Sequence, residues 1–178
     1  MTLALVLALH LATQGNVVSG PLNMAASTEK RILVVRIGPH QMRQYDIAVG
    51  TKAHPTPNGR FNVKHIVWNP GWVPPKEKWA KGKKPAKPGD PKNPMRVVKI
   101  FFQEPDYYIH GTDQPDSIGE AASHGCIRMT AEDAFALGKY LMDHTGVKKD
   151  ADWYAEVLNG DESADVILPG PVPFAIGR

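Results

Sequence analysis

Glycine and proline set the first limit on this fold. The 178-residue chain carries 16 of each, so about one residue in six punctuates the backbone. Proline removes a backbone donor and locks φ, and glycine weakens helix and strand interiors alike. Such a density argues for many short strands joined by loops, and against a helical bundle. The length suits one domain, and 42% hydrophobic residues supply a core.

The pattern along the chain agrees. Arg31–Ile37 is a β-branched run, Gly38-Pro39 a turn and Gln44–Val49 a second apolar run, which together read as a hairpin ended by Gly50. Phe61–Trp68 alternates apolar and polar residues up to Ile66, as a half-buried strand does. Residues 69–96 are irregular and dense in Pro, Gly and Lys, and are expected to form a long loop or lid over the sheet. Val97–Phe102 and Tyr107–His110 form a further strand pair. Thr130 caps a helix, with Asp133 completing a partial capping box, Phe135, Leu137, Leu141 and Met142 forming its apolar stripe, and Gly146 ending it. A second helix is expected from Asp150 to Leu158, and a last strand over Ala164–Leu168 before a Pro-Gly-Pro stretch. The fold class is mostly β with one or two helices.

Met1 to Ala12 is an apolar run interrupted by His10 and preceded by no Lys or Arg. It falls short of the roughly 20 apolar residues that span a bilayer and has the size of a signal-peptide core, with small residues at Ala25-Ala26-Ser27 as a cleavage zone. Residues 1–30 are therefore expected to be a signal-like leader and linker, which places the protein in the periplasm or cell envelope. An amphipathic or disordered leader is the alternative. The folded domain is then residues 31–178.

Formal charge is +3, but seven Lys and one Arg against two acids between Pro74 and Arg96 give that segment +6. The positive excess thus belongs to one Pro-broken loop, which is not the basic face that nucleic-acid binding requires. A solvated loop is the simple reading, and a lid that steers an acidic polymer toward the site is the other. One cysteine allows no intramolecular disulfide and argues against a structural zinc site.

That cysteine has informative neighbours. Cys126 follows Gly125 and stands four residues before the helix cap, with His124 two positions away and His110, at a strand end, sixteen away. A thiolate nucleophile needs a base or a positive environment to lower its pKa, and an imidazole provides both near neutrality. Gly125 permits a sharp turn, consecutive amides there can donate to an oxyanion, and Arg128 presents a planar fork for a carboxylate. Nucleophile, base, oxyanion donors and carboxylate clamp point to acyl transfer on a peptide bearing a free acid.

Ile109-His110-Gly111-Thr112, Ser123-His124-Gly125-Cys126 and Ile127-Arg128 together resemble the active-site motif of the L,D-transpeptidase family, the YkuD-like catalytic domain. Val49-Gly50, Thr56-Pro57-Asn58-Gly59-Arg60-Phe61, Trp72-Val73-Pro74-Pro75, Pro88-Gly89 and Asn93-Pro94-Met95 follow its earlier landmarks in order. Arg96 departs from the glycine that many members have there. The resemblance covers roughly residues 31–145, with a weaker match over 165–174. It implies a β-sandwich or barrel-like catalytic domain without cofactor or metal. It also implies that Cys126 attacks the carbonyl between the third and fourth residues of a peptidoglycan stem peptide, releasing the terminal D-alanine. His110 takes the thiol proton, its ring steered by the Gly111 carbonyl. The His124, Gly125 and Cys126 amides form the oxyanion hole, and Arg128 helps to hold the donor. An amine acceptor, from another stem peptide or a lipoprotein lysine, resolves the acyl-enzyme. Water gives carboxypeptidase activity instead, and carbapenems acylate the thiol. No nucleic-acid partner is expected, and a monomer is the default.

Plainer readings stand beside these. Cys126 could be a packing residue, His110 a satisfied strand-end histidine, and Arg128 a surface partner of Glu132. Ser123 is structural or a substrate contact. His54 and His65 lack metal-binding spacing, and Trp68, Trp72 and Trp79 are expected to pack the long loop, with sugar or peptide stacking as the minority role. A catalytically silent peptidoglycan-binding module, or a metallopeptidase using His110, His124 and Cys126, would be the competing functions.

Overall fold

The eight-stranded sheet at the centre of the molecule is built around inward rows of aliphatic side chains. The structure, a computed structural model, describes residues 19–178; the apolar run of the expected leader lies outside them. In chain order the strands are β1 (Leu22–Ser27), β2 (Ile32–Ile37), β3 (His40–Asp46), β4 (Val49–Gly50), β5 (Gly59–Trp68), β6 (Arg96–Gln103), β7 (Tyr107–Gly111), β8 (Ala121–Ser123), β9 (Ile127–Met129) and β10 (Ala164–Gly177). Helices α1 (Ala131–His144) and α2 (Ala151–Asn159) stand between β9 and β10.

The sheet order is β3-β2-β1-β10-β5-β6-β7-β9, with β4 and β8 forming a separate parallel pair. Most neighbours are antiparallel, but β1 with β10 and β7 with β9 run parallel. The sheet curls until its ends nearly meet. Ala48, just past β3, exchanges both backbone hydrogen bonds with Arg128 of β9 at 2.9 Å each. This gives the barrel-like form that the family resemblance implies and satisfies backbone groups at that rim.

Alternation sorts the two faces. Val98, Ile100 and Phe102 of β6, Ile109 of β7, and Ile127 and Met129 of β9 are all buried in the core. The intervening Lys99, Phe101, Tyr108, His110, Cys126 and Arg128 therefore share the opposite face. Helix α1 packs on the core side against β6, β7 and β9. Its approach is close because Gly138 has no side chain: a Cβ there would stand 3.0 Å from the Trp68 ring. Trp68 donates its indole N–H to the Met142 sulfur at 3.1 Å and packs edge-on against Phe135 and Tyr154, joining β5 to both helices. Thr130 accepts from the Asp133 amide as the capping pattern predicts, and α2 is capped in the same way by Asp150.

Four expectations need correction. Residues 22–27 are not linker: β1 lies between β2 and β10, with Met24 and Ala26 buried. Its small, mixed side chains carry little strand signal of their own, and its neighbours hold it. A cut at Ala25-Ala26-Ser27 would sever this strand. The second arm of the hairpin starts at His40 and breaks after Asp46, where Ile47 bonds to the Arg31 carbonyl and β4 departs to pair with β8. The last strand runs through the prolines to Gly177. A register shift between Ile167 and Val172 takes Pro169, Gly170 and Pro171 out of the ladder, so their missing donors cost little. The long loop ends at Met95, because Arg96 already pairs with Gly111 in β6.

The loop over residues 69–95 is tied down by two buried asparagines. The Asn69 amide donates to the carbonyls of Val157, Gly160 and Glu162 and accepts from the Gly89 N–H, so one side chain pins loop to helix end. Asn93 donates to the Pro70 and Lys87 carbonyls and accepts from Met95 N–H. A short 3-10 turn over Lys78–Ala80 and a bridge between Trp72 and Ala86 add local order.

Candidate active site

Two parallel strands bring the motif residues together. The β7–β9 register sets Ile109 beside Ile127 and His110 beside Arg128, so Tyr108 and Cys126 also fall abreast on the face away from the core. Across β6, Lys99 pairs with His110 and Phe101 with Tyr108. Two rows result, one of Phe101, Tyr108 and Cys126, the other of Lys99, His110 and Arg128.

His110 is 3% exposed, and its Nδ1 lies 2.7 Å from the Gly111 carbonyl. A carbonyl only accepts, so Nδ1 carries the hydrogen and Nε2 is left as the basic nitrogen. The Gly111 position tolerates only glycine, since a Cβ would stand 2.4 Å from the Arg96 carbonyl oxygen. Burial pushes the His110 pKa down to about 3; the Gly111 bond opposes this, while Arg128 and Lys99 add to it. The ring is neutral at rest.

Cys126 is half-buried, and burial pushes its thiol up to about 11. Tyr108, through its backbone N–H and its phenol, and the cations of Lys99 and Arg128 oppose that rise without overcoming it. The pair at rest is thus a neutral thiol beside a neutral imidazole, the state from which His110 can take the thiol proton. In the resting conformation the thiol donates to the Asp106 carbonyl at 3.4 Å rather than to the His110 ring.

The Ser123-His124-Gly125-Cys126 turn is held from within. Ser123 is 1% exposed; its hydroxyl donates to the Cys126 carbonyl and accepts from the Gly125 amide at 3.1 Å. Its hydroxyl hydrogen is thus spent within the turn, which fits the structural reading of this residue. Gly125 sits at φ 110°, and a Cβ there would meet the Tyr107 ring at 2.7 Å, so glycine is required twice over. Of the three amides expected to form an oxyanion hole, that of Gly125 bonds to Ser123, and no hydrogen bond among the described residues uses the His124 or Cys126 N–H.

His124 points outward and stacks on Trp79 of the long loop, with ring centroids 3.9 Å apart and planes 16° from parallel. Its pKa is lowered, first by desolvation and then by His54, Lys83 and Arg128. Lys83 in turn lies over the Trp79 ring at 5.0 Å. The loop thus borders the site through an aromatic contact that the motif alone does not disclose. Arg128 donates to the Gln114 side-chain oxygen at 3.2 Å rather than pairing with Glu132. Its pKa is lowered by desolvation, against Asp113 and Cys126. Among the described residues no three His, Cys, Asp or Glu side chains are grouped as metal ligands, and His124, stacked outside on Trp79, does not converge with buried His110.

Tyr108, Lys99 and Gln114 are the site residues that motif spacing passed over. Tyr108 was within reach, since two positions before a strand histidine means the same face. Lys99 and Gln114 depend on strand register and loop path, which no local pattern encodes.

Comparison with known proteins shows the family and the fold. A family model described as the L,D-transpeptidase catalytic domain, YkuD, matches residues 24–158. The "Putative L,D-transpeptidase YkuD" of Bacillus subtilis is 30% identical over 127 residues, which is 71% of this chain and 65% of that protein. The chain thus matches less than two thirds of that relative's length. Among solved structures, an L,D-transpeptidase from Mycobacterium smegmatis aligns with a TM-score of 0.54 at 15% identity, covering 88% of this chain and 58% of that one. The catalytic domain of an E. faecium L,D-transpeptidase aligns with a TM-score of 0.50 at 16% identity, covering 91% of this chain and 99% of that one. At these identities the structural likeness speaks for the fold.

Proposed function

Because this chain belongs to the L,D-transpeptidase catalytic-domain family, we propose that it is a cysteine acyltransferase acting on peptidoglycan stem tetrapeptides. The observation that carries the reading is the pairing of β7 with β9. It sets the only cysteine of the chain one residue short of the strand that flanks His110, whose Nδ1 is fixed by Gly111.

In this reaction the donor carbonyl between the third and fourth residues settles against the turn. The Cys126 thiol leaves the Asp106 carbonyl and turns to His110. Nε2 removes the thiol proton as sulfur attacks, which is general-base catalysis from a neutral pair. The His124 and Cys126 amides receive the oxyanion. The imidazolium formed on His110 returns its proton to the leaving amine, D-alanine departs, and a thioester to Cys126 remains. An amine, from a second stem peptide or a lipoprotein lysine, then takes the acyl group; water gives the trimmed peptide. This substrate lies outside the cytoplasm, so the proposal places the protein in the periplasm or cell envelope, as the apolar run over Met1–Ala12 supports.

Intact-mass spectrometry after incubation with a carbapenem tests the nucleophile. One drug mass should appear on the protein and be lost in Cys126→Ala. A folded, reduced protein that takes up no drug contradicts the proposal and favours a silent binding domain.

A further inference from the structure

Lys99 and Arg128 are two cations flanking the candidate base, and neither is paired with an acid. The ion pairs among the described residues belong to His65 and Lys139. Lys99 Nζ donates to the Gly71 carbonyl at 2.9 Å and lies 4.9 Å from the centre of the Tyr108 ring. Arg128 is held by the Gln114 amide oxygen, with Asp113 as the acid that acts on it at longer range. Both cations are partly desolvated. An ammonium has three donors and a guanidinium five, so each keeps donors to spare.

Strand register gives the location. Lys99, His110 and Arg128 stand abreast on β6, β7 and β9, and adjacent strands are about 4.8 Å apart. The two cations therefore rise on either side of the imidazole, with backbones roughly 10 Å apart. In the acyl transfer proposed above, His110 must hand its proton to the leaving nitrogen, which brings that nitrogen to Nε2. In an amino-acid leaving group the carboxyl carbon lies only two bonds from that nitrogen. Its carboxylate consequently falls over the row of Lys99, His110 and Arg128.

We propose that Lys99, together with Arg128, forms a two-cation cradle for the terminal carboxylate of the donor peptide, making Lys99 a specificity-determining residue of this site. The proposal rests on the acyl-transfer reading. It gives a physical reason for a donor that ends in a free acid: a terminal amide or a chain extended by a further residue leaves two cations desolvated with no counter-charge. The bound carboxylate also screens the imidazolium that forms between the cations, so charge created in the reaction is met where it appears.

The test is equilibrium binding of a synthetic stem tetrapeptide, as free acid and as C-terminal amide, to the Cys126→Ala protein with Lys99 intact or as Lys99→Gln or Lys99→Arg. Glutamine keeps an N–H for the Gly71 carbonyl and removes the charge, and arginine keeps both. We expect Lys99→Gln to weaken the acid about tenfold or more, the scale of one charge-assisted hydrogen bond. The amide should change less than about twofold on the same scale, and Lys99→Arg should recover most of the loss. Equal weakening of acid and amide would reduce Lys99 to a tether for the loop, and an unchanged acid affinity would remove it from the site; either overturns the cradle. So does failure of the acid to bind Cys126→Ala while carbapenem still acylates the parent thiol. Absence of that acylation counts against the acyl-transfer reading itself, whatever the binding data.

Discussion

Replacing Ser123 by alanine separates a residue that shapes the nucleophile turn from one that touches substrate. The hydroxyl is buried, gives its hydrogen to the Cys126 carbonyl and receives one from the Gly125 amide. Alanine fits the space but leaves a buried amide without an acceptor, a loss of about 1–3 kcal/mol, with a further ~1 kcal/mol for the bond to the carbonyl. The sum, about 2–4 kcal/mol, corresponds to a drop in Tm of about 5–12 °C for a domain of this size. The freed Gly125 amide and the loosened Cys126 backbone also misplace the sulfur relative to His110. Misplacement on the scale of 1 Å costs about a hundredfold in rate. We therefore expect Ser123→Ala to lower kcat for D-alanine release by roughly ten- to a hundredfold, with KM nearly unchanged, and to melt earlier by the stated amount. A variant with wild-type Tm and a raised KM would refute this reasoning and return Ser123 to the substrate.

Three other outcomes test separate parts of the account. Gly125→Ala forces a side chain into the Tyr107 ring at a positive φ; thiol acylation should fall by at least about tenfold, read by mass spectrometry over time, and a wild-type rate would dispose of the glycine argument. The neutral pair, with His110 at about 3 and Cys126 at about 11, predicts acylation that stays flat with pH through the neutral range; a half-maximal fall near pH 6.5 would mean an ordinary histidine. Stability carries the matching sign. Above the unfolded pKa of about 6.5 both states are neutral, and below it the unfolded chain takes up a proton that folded His110 refuses until about pH 3. Stability should thus decline as pH falls across that window, by up to about 1.4 kcal/mol per pH unit from this group, and urea titrations of His110→Gln should show a shallower decline. Asn69→Ala removes the side chain that joins the loop base to the end of α2, and should cost roughly 2–4 kcal/mol in urea unfolding; a loss under about 0.5 kcal/mol would mean the loop is held elsewhere.

Much of the fold and site could be read locally, because their signals are local. The Thr130 cap, the apolar stripe of α1 and the Gly38-Pro39 turn act within a few residues. The segments that escaped reading depend on distant partners. β1 exists because β2 and β10 accept Met24 and Ala26 between them, and the prolines of β10 are tolerated only because the register shifts around them. At the site, the spacing of His110 and Cys126 signals a pair without giving its protonation state. That state follows from burial, and burial follows from the packing of β7 and β9 under the loop. The same holds for Ser123, whose hydrogen bonds within the turn no local pattern gives.

The central claim, that Cys126 with His110 cleaves a stem tetrapeptide through a thioester, is met most directly by quenching the reaction of that peptide and weighing the protein. The account predicts a covalent tripeptide-acyl adduct on Cys126, with one D-alanine released per adduct, and neither in Cys126→Ala. D-alanine release that survives in a folded Cys126→Ala protein would contradict it.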